Sequence, residues 1–448
     1  MYHTESWKNK IIIYISILWP IMVTQLSLIA MNLVDTMMSG RVSTNDLAGV
    51  AIGSSLWVPV YVGTVGILLA ITPMVSQLVG RGQYKNIHYT VTQALYLAVI
   101  ISILVICAGR ILADPILAFM ELDSEVHRIA FQYLIGLSIG IIPLFVSNVL
   151  RNFFDGQGFT KITMMITVLA VPFNVLLNYG FIFGNFGLPA LGGVGAGYAT
   201  GFTYWIILLL SIMITLSLPK VKHYKILKQW VKPSWKAWKE QLAIGVPIGL
   251  SIFFETSIFS TVTLLIGIMF TSVTIGANQV VLNFTSFLFM IPLSISMALT
   301  IVVGYSIGGD KLQYAKQYTI IGVTGGLAFS ALSATLLFFF RESIATLYTE
   351  DPEVIALAGQ LFKIAIIFQL SDAAQAGLQG ALRGYKDVKV TFYIAFVSYW
   401  IIGIPVGYVL AAFTELGPFG LWIGITMGLT FAAICFFIRL RMIQKRHQ

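Results

Sequence analysis

Charge is scarce in this chain. Lys, Arg, Asp and Glu make up only 10% of its 448 residues, whereas hydrophobic residues make up 58%. That balance excludes a soluble globular domain and fits a polytopic membrane protein. Cysteine is nearly absent. Cys107 and Cys435 both sit in apolar runs, which excludes a disulfide framework and a thiolate metal site. The few histidines, His3, His88, His127, His223 and His447, fall in or near loops without metal-ligand spacing. A phosphate-binding glycine loop, a nucleophile elbow and a paired-His helix motif are missing too, which argues against ATP hydrolysis and an intramembrane enzyme. No enzymatic activity and no cofactor are expected.

Long apolar runs are what the chain has in place of charge. Twelve segments are centred near Thr24, Tyr61, Val99, Gly140, Leu169, Trp205, Phe254, Phe289, Phe329, Ile366, Tyr399 and Thr426. Each is about 20 residues or longer, enough to cross a hydrocarbon core as helix. The short alternating runs of a membrane β-barrel are not seen. The first run is followed by no small-residue cleavage pattern, so it is expected to stay as a membrane helix.

Basic residues set the expected orientation. Of 27 Lys and Arg, only Arg41, Arg110, Arg128 and Arg341 fall in loops of one side, and Lys363 lies within the tenth segment. The rest fall on the other side, including seven lysines from Lys220 to Lys239 between the sixth and seventh segments. By the positive-inside rule, both termini and that long loop are cytoplasmic in a multi-pass protein of the inner (plasma) membrane. The net charge of +9 is then a matter of topology and does not point to nucleic acid. Trp230, Trp235 and Trp238 among these lysines suit a segment lying on the lipid surface.

The two halves repeat. Trp19-Pro20-Ile21 answers Val246-Pro247-Ile248, Gly40 answers Gly267, and Gly80-Arg81-Gly82 answers Gly308-Gly309-Asp310. Gly158-Phe159 answers Gly384-Tyr385, and Leu191-Gly192 answers Leu416-Gly417, all at offsets of about 225 to 228. The expected fold is an all-α integral membrane protein with twelve transmembrane helices in two pseudo-symmetric six-helix lobes. Residues 1–218 form the N-terminal lobe, 219–239 a basic cytoplasmic linker, and 240–448 the C-terminal lobe. A site between or within the lobes, and alternating access by their rocking, follow by fold analogy.

Three of the 18 acidic residues, Asp35, Glu255 and Asp372, lie inside apolar segments. A carboxylate there costs roughly 3 kcal/mol or more, so it marks an ion path, a proton relay or a counter-ion for substrate. Asp35 is in the outer half of the first segment. Asn174 and Asn178, four apart on one helix face, and Thr200 are expected at similar depth. One carboxylate, two amides and a hydroxyl can form an oxygen cage for Na⁺ or hold a protonated acid. Glu255 and Asp372 are both mid-helix, with Gln279 and Asn283 as candidate partners and Phe254, Phe289 and Phe368 as cation–π surface. Two acids brought close would not both ionise easily. Pro20 and Pro247 are expected to bend the helices that carry Asp35 and Glu255.

These residues resemble the MATE (multidrug and toxic compound extrusion) transporters of the NorM type. The resemblance rests on Pro20-Ile21 and Asn32-Leu33-Val34-Asp35-Thr36, on Val79-Gly80-Arg81-Gly82, and on Pro172-Phe173-Asn174 through Asn178-Tyr179. It extends through Gly192-Gly193-Val194-Gly195 before Ala199-Thr200, Phe253-Phe254-Glu255, Gln279 to Asn283-Phe284, and Asp372 with Gly377-Leu378-Gln379-Gly380 and Arg383-Gly384. It implies a V-shaped pair of lobes and export of cationic or amphipathic small molecules against Na⁺ or H⁺ by a monomer in the bilayer. Asp35, Asn174, Asn178 and Thr200 would form the N-lobe ion site. Glu255 and Asp372, with Gln279, Asn283, Phe289 and Phe368 beside them, would form the C-lobe site. One departure is that Phe368 stands where some relatives carry a tyrosine, which removes a hydroxyl ligand for Na⁺. A lipid-linked oligosaccharide flippase of the same superfamily would want a basic cavity, and the intramembrane charges here are mostly acidic. A channel is the other alternative, against which the lobed repeat argues.

Overall fold

The computed structural model describes residues 5–446; His3 and His447 lie outside the described residues. All regular structure among the described residues is helical. The first half runs α1 (Trp7–Gly40), α2 (Thr44–Leu68), α3 (Ile71–Gly80), α4 (Tyr84–Phe119), α5 (Ser124–Ser138), α6 (Ile141–Gly156), α7 (Thr160–Phe183), α8 (Gly193–Ser217) and the short α9 (Pro219–Lys222). The second half runs α10 (Trp235–Met269), α11 (Ser272–Gly308), α12 (Leu312–Ala345), α13 (Pro352–Gly384), α14 (Val388–Phe396), a π-helical segment (Val397–Gly403), α15 (Ile404–Phe413) and α16 (Pro418–Arg446). Among the described residues, 11 spans are long and apolar enough to cross a membrane, and the pair α5 and α6, bent by 49°, makes a twelfth.

That bend has a local cause. Pro143, in the first turn of α6, has no N–H to give the carbonyl of Ile139. The indole Nε1 of Trp205 donates to that carbonyl instead, at 3.1 Å. The freed acceptor is thereby used to tie α8 to the bend.

Contacts divide the chain into two compact units. One is Trp19–Gly249; the other joins 5–18 to 250–446. The seams fall inside α1 and α10, next to Pro20 and Pro247. The lobes read from the sequence divide the chain by helix count, at 219–239, and the contact units divide it at these two prolines.

In the first unit, the segment after α9 is pinned down. Gln93 on α4 donates to the Lys232 carbonyl at 2.7 Å and accepts from the Ser234 N–H at 2.9 Å. Tyr96 donates to the Val231 carbonyl at 2.9 Å, and Gln241 at the start of α10 donates to the Thr90 carbonyl at 2.9 Å. α10 already begins at Trp235, so the last residues of the expected linker are helix.

In the second unit, α13 is the central helix, packed on α11, α12 and α16. α11 comes so near that a Cβ on Gly380 would run into the Ser296 carbonyl. Close backbone approach at small residues is how helices associate where water provides no hydrophobic drive. The first segment of α1 belongs here: Tyr14 donates to the Ile295 carbonyl at 3.4 Å and Lys10 to Gln317 Oε1 at 2.5 Å.

Candidate functional site

Each unit holds buried carboxylates, and each surrounds them differently. In the first unit, Asp35 is buried on α1. Its Oδ1 accepts from Asn178 Nδ2 at 2.6 Å and from Asn174 Nδ2 at 3.3 Å; its Oδ2 accepts from the Thr200 hydroxyl at 2.5 Å. The helical spacing of four stacks the two amides on one face of α7. Thr200 is brought up by the start of α8. Gly192 has φ 59 and ψ −139, and a Cβ there would lie 2.6 Å from Asp46 Oδ1. With no side chain in the way, Asp46 Oδ1 takes the Gly193 N–H at 2.6 Å, and Ser43 donates to the other carboxylate oxygen at 2.5 Å. The Gly-Gly pair thus fixes where α8 begins, and Thr200 follows two turns on. Asn178 Oδ1 is buried and accepts no hydrogen bond. An orphan acceptor beside a carboxylate is a place where a proton or a cation would be welcome.

In the second unit, Glu255 on α10 and Asp372 on α13 are both buried. Gln375, fully buried one turn after Asp372, joins them: its Nε2 donates to Glu255 Oε1 at 2.7 Å and to Asp372 Oδ1 at 3.1 Å. Its Oε1 accepts from the Tyr399 hydroxyl at 2.9 Å. Further along the same face of α13, Arg383 donates to Gln379 Oε1 at 2.8 Å and is buried. Among the described residues, no carboxylate forms an ion pair with Arg383.

Among the described residues, neither Gln279 nor Asn283 hydrogen-bonds to these acids, whose shared partner is Gln375. Gln279 and Asn283 are exposed on α11. The residue that turns inward is Asn278, whose Oδ1 accepts from the Trp422 indole at 3.0 Å. One step along a helix is about 100°, so Gln279, and Asn283 one turn later, face away from that contact. Phe289 and Phe368 share the lining of one small pocket with Asp372, Phe329, Ser333 and Gln369. Phe368 packs edge-on to Phe259 and Trp422, at ring separations of 5.8 and 5.6 Å. Gln369 accepts from Ser333 at 3.0 Å, while its buried Nε2 has no partner. Lys363 is exposed.

Sequence reasoning missed Gln375 and Tyr399. Gln375 carried a signal, since it is an amide three residues from an intramembrane acid and on the same helix face. Tyr399 carried none beyond its place in an apolar segment.

The MatE family model matches the chain twice, over residues 20–180 and 247–409. The chain belongs to the MATE family, NorM type. The two matches begin at Pro20 and Pro247, in line with the repeat seen in the sequence. It is 50% identical over 446 residues to the probable multidrug resistance protein NorM of Oceanobacillus iheyensis, covering 100% of both chains. It is 51% identical over 447 residues to the protein of the same name from Bacillus subtilis, covering 100% of this chain and 99% of that one. Two solved MATE structures share the fold. The eukaryotic transporter AtDTX14 matches with TM-score 0.84 at 21% identity, over 99% of this chain and 100% of that chain. A MATE in the bent conformation matches with TM-score 0.89 at 18% identity, over 97% and 95%. As a MATE protein of twelve membrane helices in two lobes, this chain is a transporter and not an enzyme.

Proposed function

We propose that this MATE protein is a secondary multidrug exporter, moving organic cations and amphipathic drugs out of the cell by antiport with Na⁺ or H⁺ through alternating access of its lobes. The observation that carries this reading is Asp35, a buried carboxylate with a neutral donor on each oxygen and an unpaired acceptor, Asn178 Oδ1, nearby. That set stabilises a charge in low dielectric yet leaves room for a proton or Na⁺. Asp35, Asn174, Asn178 and Thr200 act as the ion-coupling site. Glu255 and Asp372 act as a second cation site, with Phe289 and Phe368 as the apolar wall of the adjoining cavity. The name NorM on relatives about half identical along the whole chain supports drugs as substrates. The protein works as a monomer in the plasma membrane, with both termini cytoplasmic; the side on which its lysines fall supports that orientation. Pro20 and Pro247 let α1 and α10 flex at the seams of the contact units.

Linkage then requires reciprocity. Raising H⁺ or Na⁺ on the release side weakens substrate binding by the factor with which substrate weakens ion binding. The test is flux in proteoliposomes. An outward gradient of drug is expected to drive inward movement of H⁺ or Na⁺ that stops when drug is omitted. Drug movement that draws neither ion, or ion current that runs without drug, would refute antiport.

A further inference from the structure

The bridge between Glu255 and Asp372 has a feature that a simple pair of acids lacks. An amide nitrogen carries two hydrogens, and Gln375 spends one on each carboxylate, while its oxygen is taken by Tyr399. Both amide hydrogens are used, and one of the two acceptor positions of the oxygen, in a fully buried place. We propose that Gln375 is the positioning residue that makes Glu255 and Asp372 one titrating unit, and that Tyr399 fixes which face of its amide the two acids meet. The inference rests on the reading of these acids as a cation site.

The chemistry is one of orientation. With the NH₂ toward the acids, both facing oxygens must be acceptors, which an ionised carboxylate always is. Turned over, the amide would aim its oxygen at two carboxyl oxygens, and that is tolerated only when both carry a proton. The face seen here is therefore the one open to two ionised acids, and the turned-over face is restricted to a pair in which both are protonated. By donating to Gln375 Oε1, Tyr399 favours the face that suits ionised acids.

Tyr399 reaches the bridge from the π-helical segment Val397–Gly403, a winding found more often at functional sites than elsewhere. The next residue, Trp400, donates its indole N–H at 3.1 Å to the carbonyl of Phe254, the neighbour of Glu255. Two successive side chains of one turn thus hold the amide bridge and the backbone beside one acid. The titratable groups that act on this cluster are Glu255 from α10, Asp372 and Arg383 from α13, and Tyr399 itself.

The experiment measures affinity for ethidium, a planar aromatic cation, against pH at fixed Na⁺ in proteoliposomes. Wild type, Gln375→Leu, Tyr399→Phe, the double variant, Glu255→Gln and Asp372→Asn are compared. Removing both donors disfavours ionised acids, so Gln375→Leu moves the midpoint to higher pH by about one unit. Tyr399→Phe moves it the same way by less, because a free amide still donates part of the time. The double variant lies close to Gln375→Leu, since the hydrogen bond of Tyr399 reaches the acids through Gln375. A purely structural role would lower the amount of folded transporter and leave the midpoint in place. Unchanged midpoints in Gln375→Leu and Tyr399→Phe, with the pH dependence lost in Glu255→Gln or Asp372→Asn, overturn the bridge and keep the cation site. Unchanged pH dependence in the two acid variants overturns both. If Gln375→Leu does not yield folded protein, Tyr399→Phe decides alone, and an unshifted midpoint refutes the proposal.

Discussion

Asp35 and the Glu255–Asp372 pair occupy related halves of one repeat, yet they handle charge in opposite ways. Around Asp35, one carboxylate meets two amides and a hydroxyl from α7 and α8. Around Glu255 and Asp372, two carboxylates share one amide. The first is rich in donors for its charge and the second is poor in them. A donor-rich acid can stay ionised inside the protein, whereas a donor-poor pair must take up a proton or a cation to stay buried. The comparison teaches that the repeat copied a backbone and not a chemistry. The family match starts at equivalent prolines in both halves, and each site draws on α1 or its counterpart α10 and on α7 or its counterpart 388–413, but α8 completes the first site and α13 the second.

The largest effect expected is at the donor-rich site. Asp35→Asn keeps the shape and the hydrogen-bonding volume but removes the charge that three donors serve. Folded protein is recovered near wild-type amounts, while ethidium efflux from proteoliposomes falls to the protein-free background. Efflux near the wild-type rate would end the claim that this carboxylate couples ion to drug.

Next come the donors themselves, which sharpen the comparison. Asn178 is at 2.6 Å from Asp35 and Asn174 at 3.3 Å. Hydrogen bonds to a charged group contribute about 1.5–3 kcal/mol when well made. Asn178→Ala is therefore expected to weaken coupling-ion affinity by roughly tenfold or more, and Asn174→Ala by less. Equal losses, read from the ion dependence of efflux, would mean that the closer amide is not the principal donor.

The smallest effect is expected on α11. Gln279→Ala and Asn283→Ala remove exposed amides that make no hydrogen bond to Glu255 or Asp372. Exposed substitutions of this kind stay within about 0.5 kcal/mol, so the pH dependence of drug affinity is expected to match wild type. A shifted midpoint in either variant would bring α11 back into the second acid site.

Much of this was legible in the sequence because the physics is coarse. Twelve apolar runs give the spans, and the repeat of Trp19-Pro20-Ile21 in Val246-Pro247-Ile248 gives the two halves. Asp35 could be matched to Asn174, Asn178 and Thr200 because depth in a membrane helix follows from counting residues. Rotation about a helix axis is harder to read. Asn278 and Gln279 are both amides one residue apart, and only packing shows that Asn278 meets Trp422 while Gln279 stays outside. The partner of the second acid pair was hidden for the same reason. Gln375 was one amide among several on α13, and Tyr399 gains its direction from a π-helical winding that no apolar run announces. The seams at Pro20 and Pro247 were likewise visible only as prolines.

The most direct test of the central comparison is a pair of double-mutant cycles on drug affinity against pH, with and without Na⁺. One cycle combines Glu255→Gln with Asp372→Asn, and the other combines Asp35→Asn with Glu255→Gln. The account predicts that the two acids bridged by Gln375 are coupled: their double variant loses less than the sum of the singles, by about 0.5–3 kcal/mol, because the second change removes a charge already relieved. Asp35 and Glu255, which share no hydrogen-bond partner, are expected to add within about 0.5 kcal/mol. Additive losses in the first cycle, with the pH dependence unchanged, would contradict the account and leave Asp35 as the whole of the coupling.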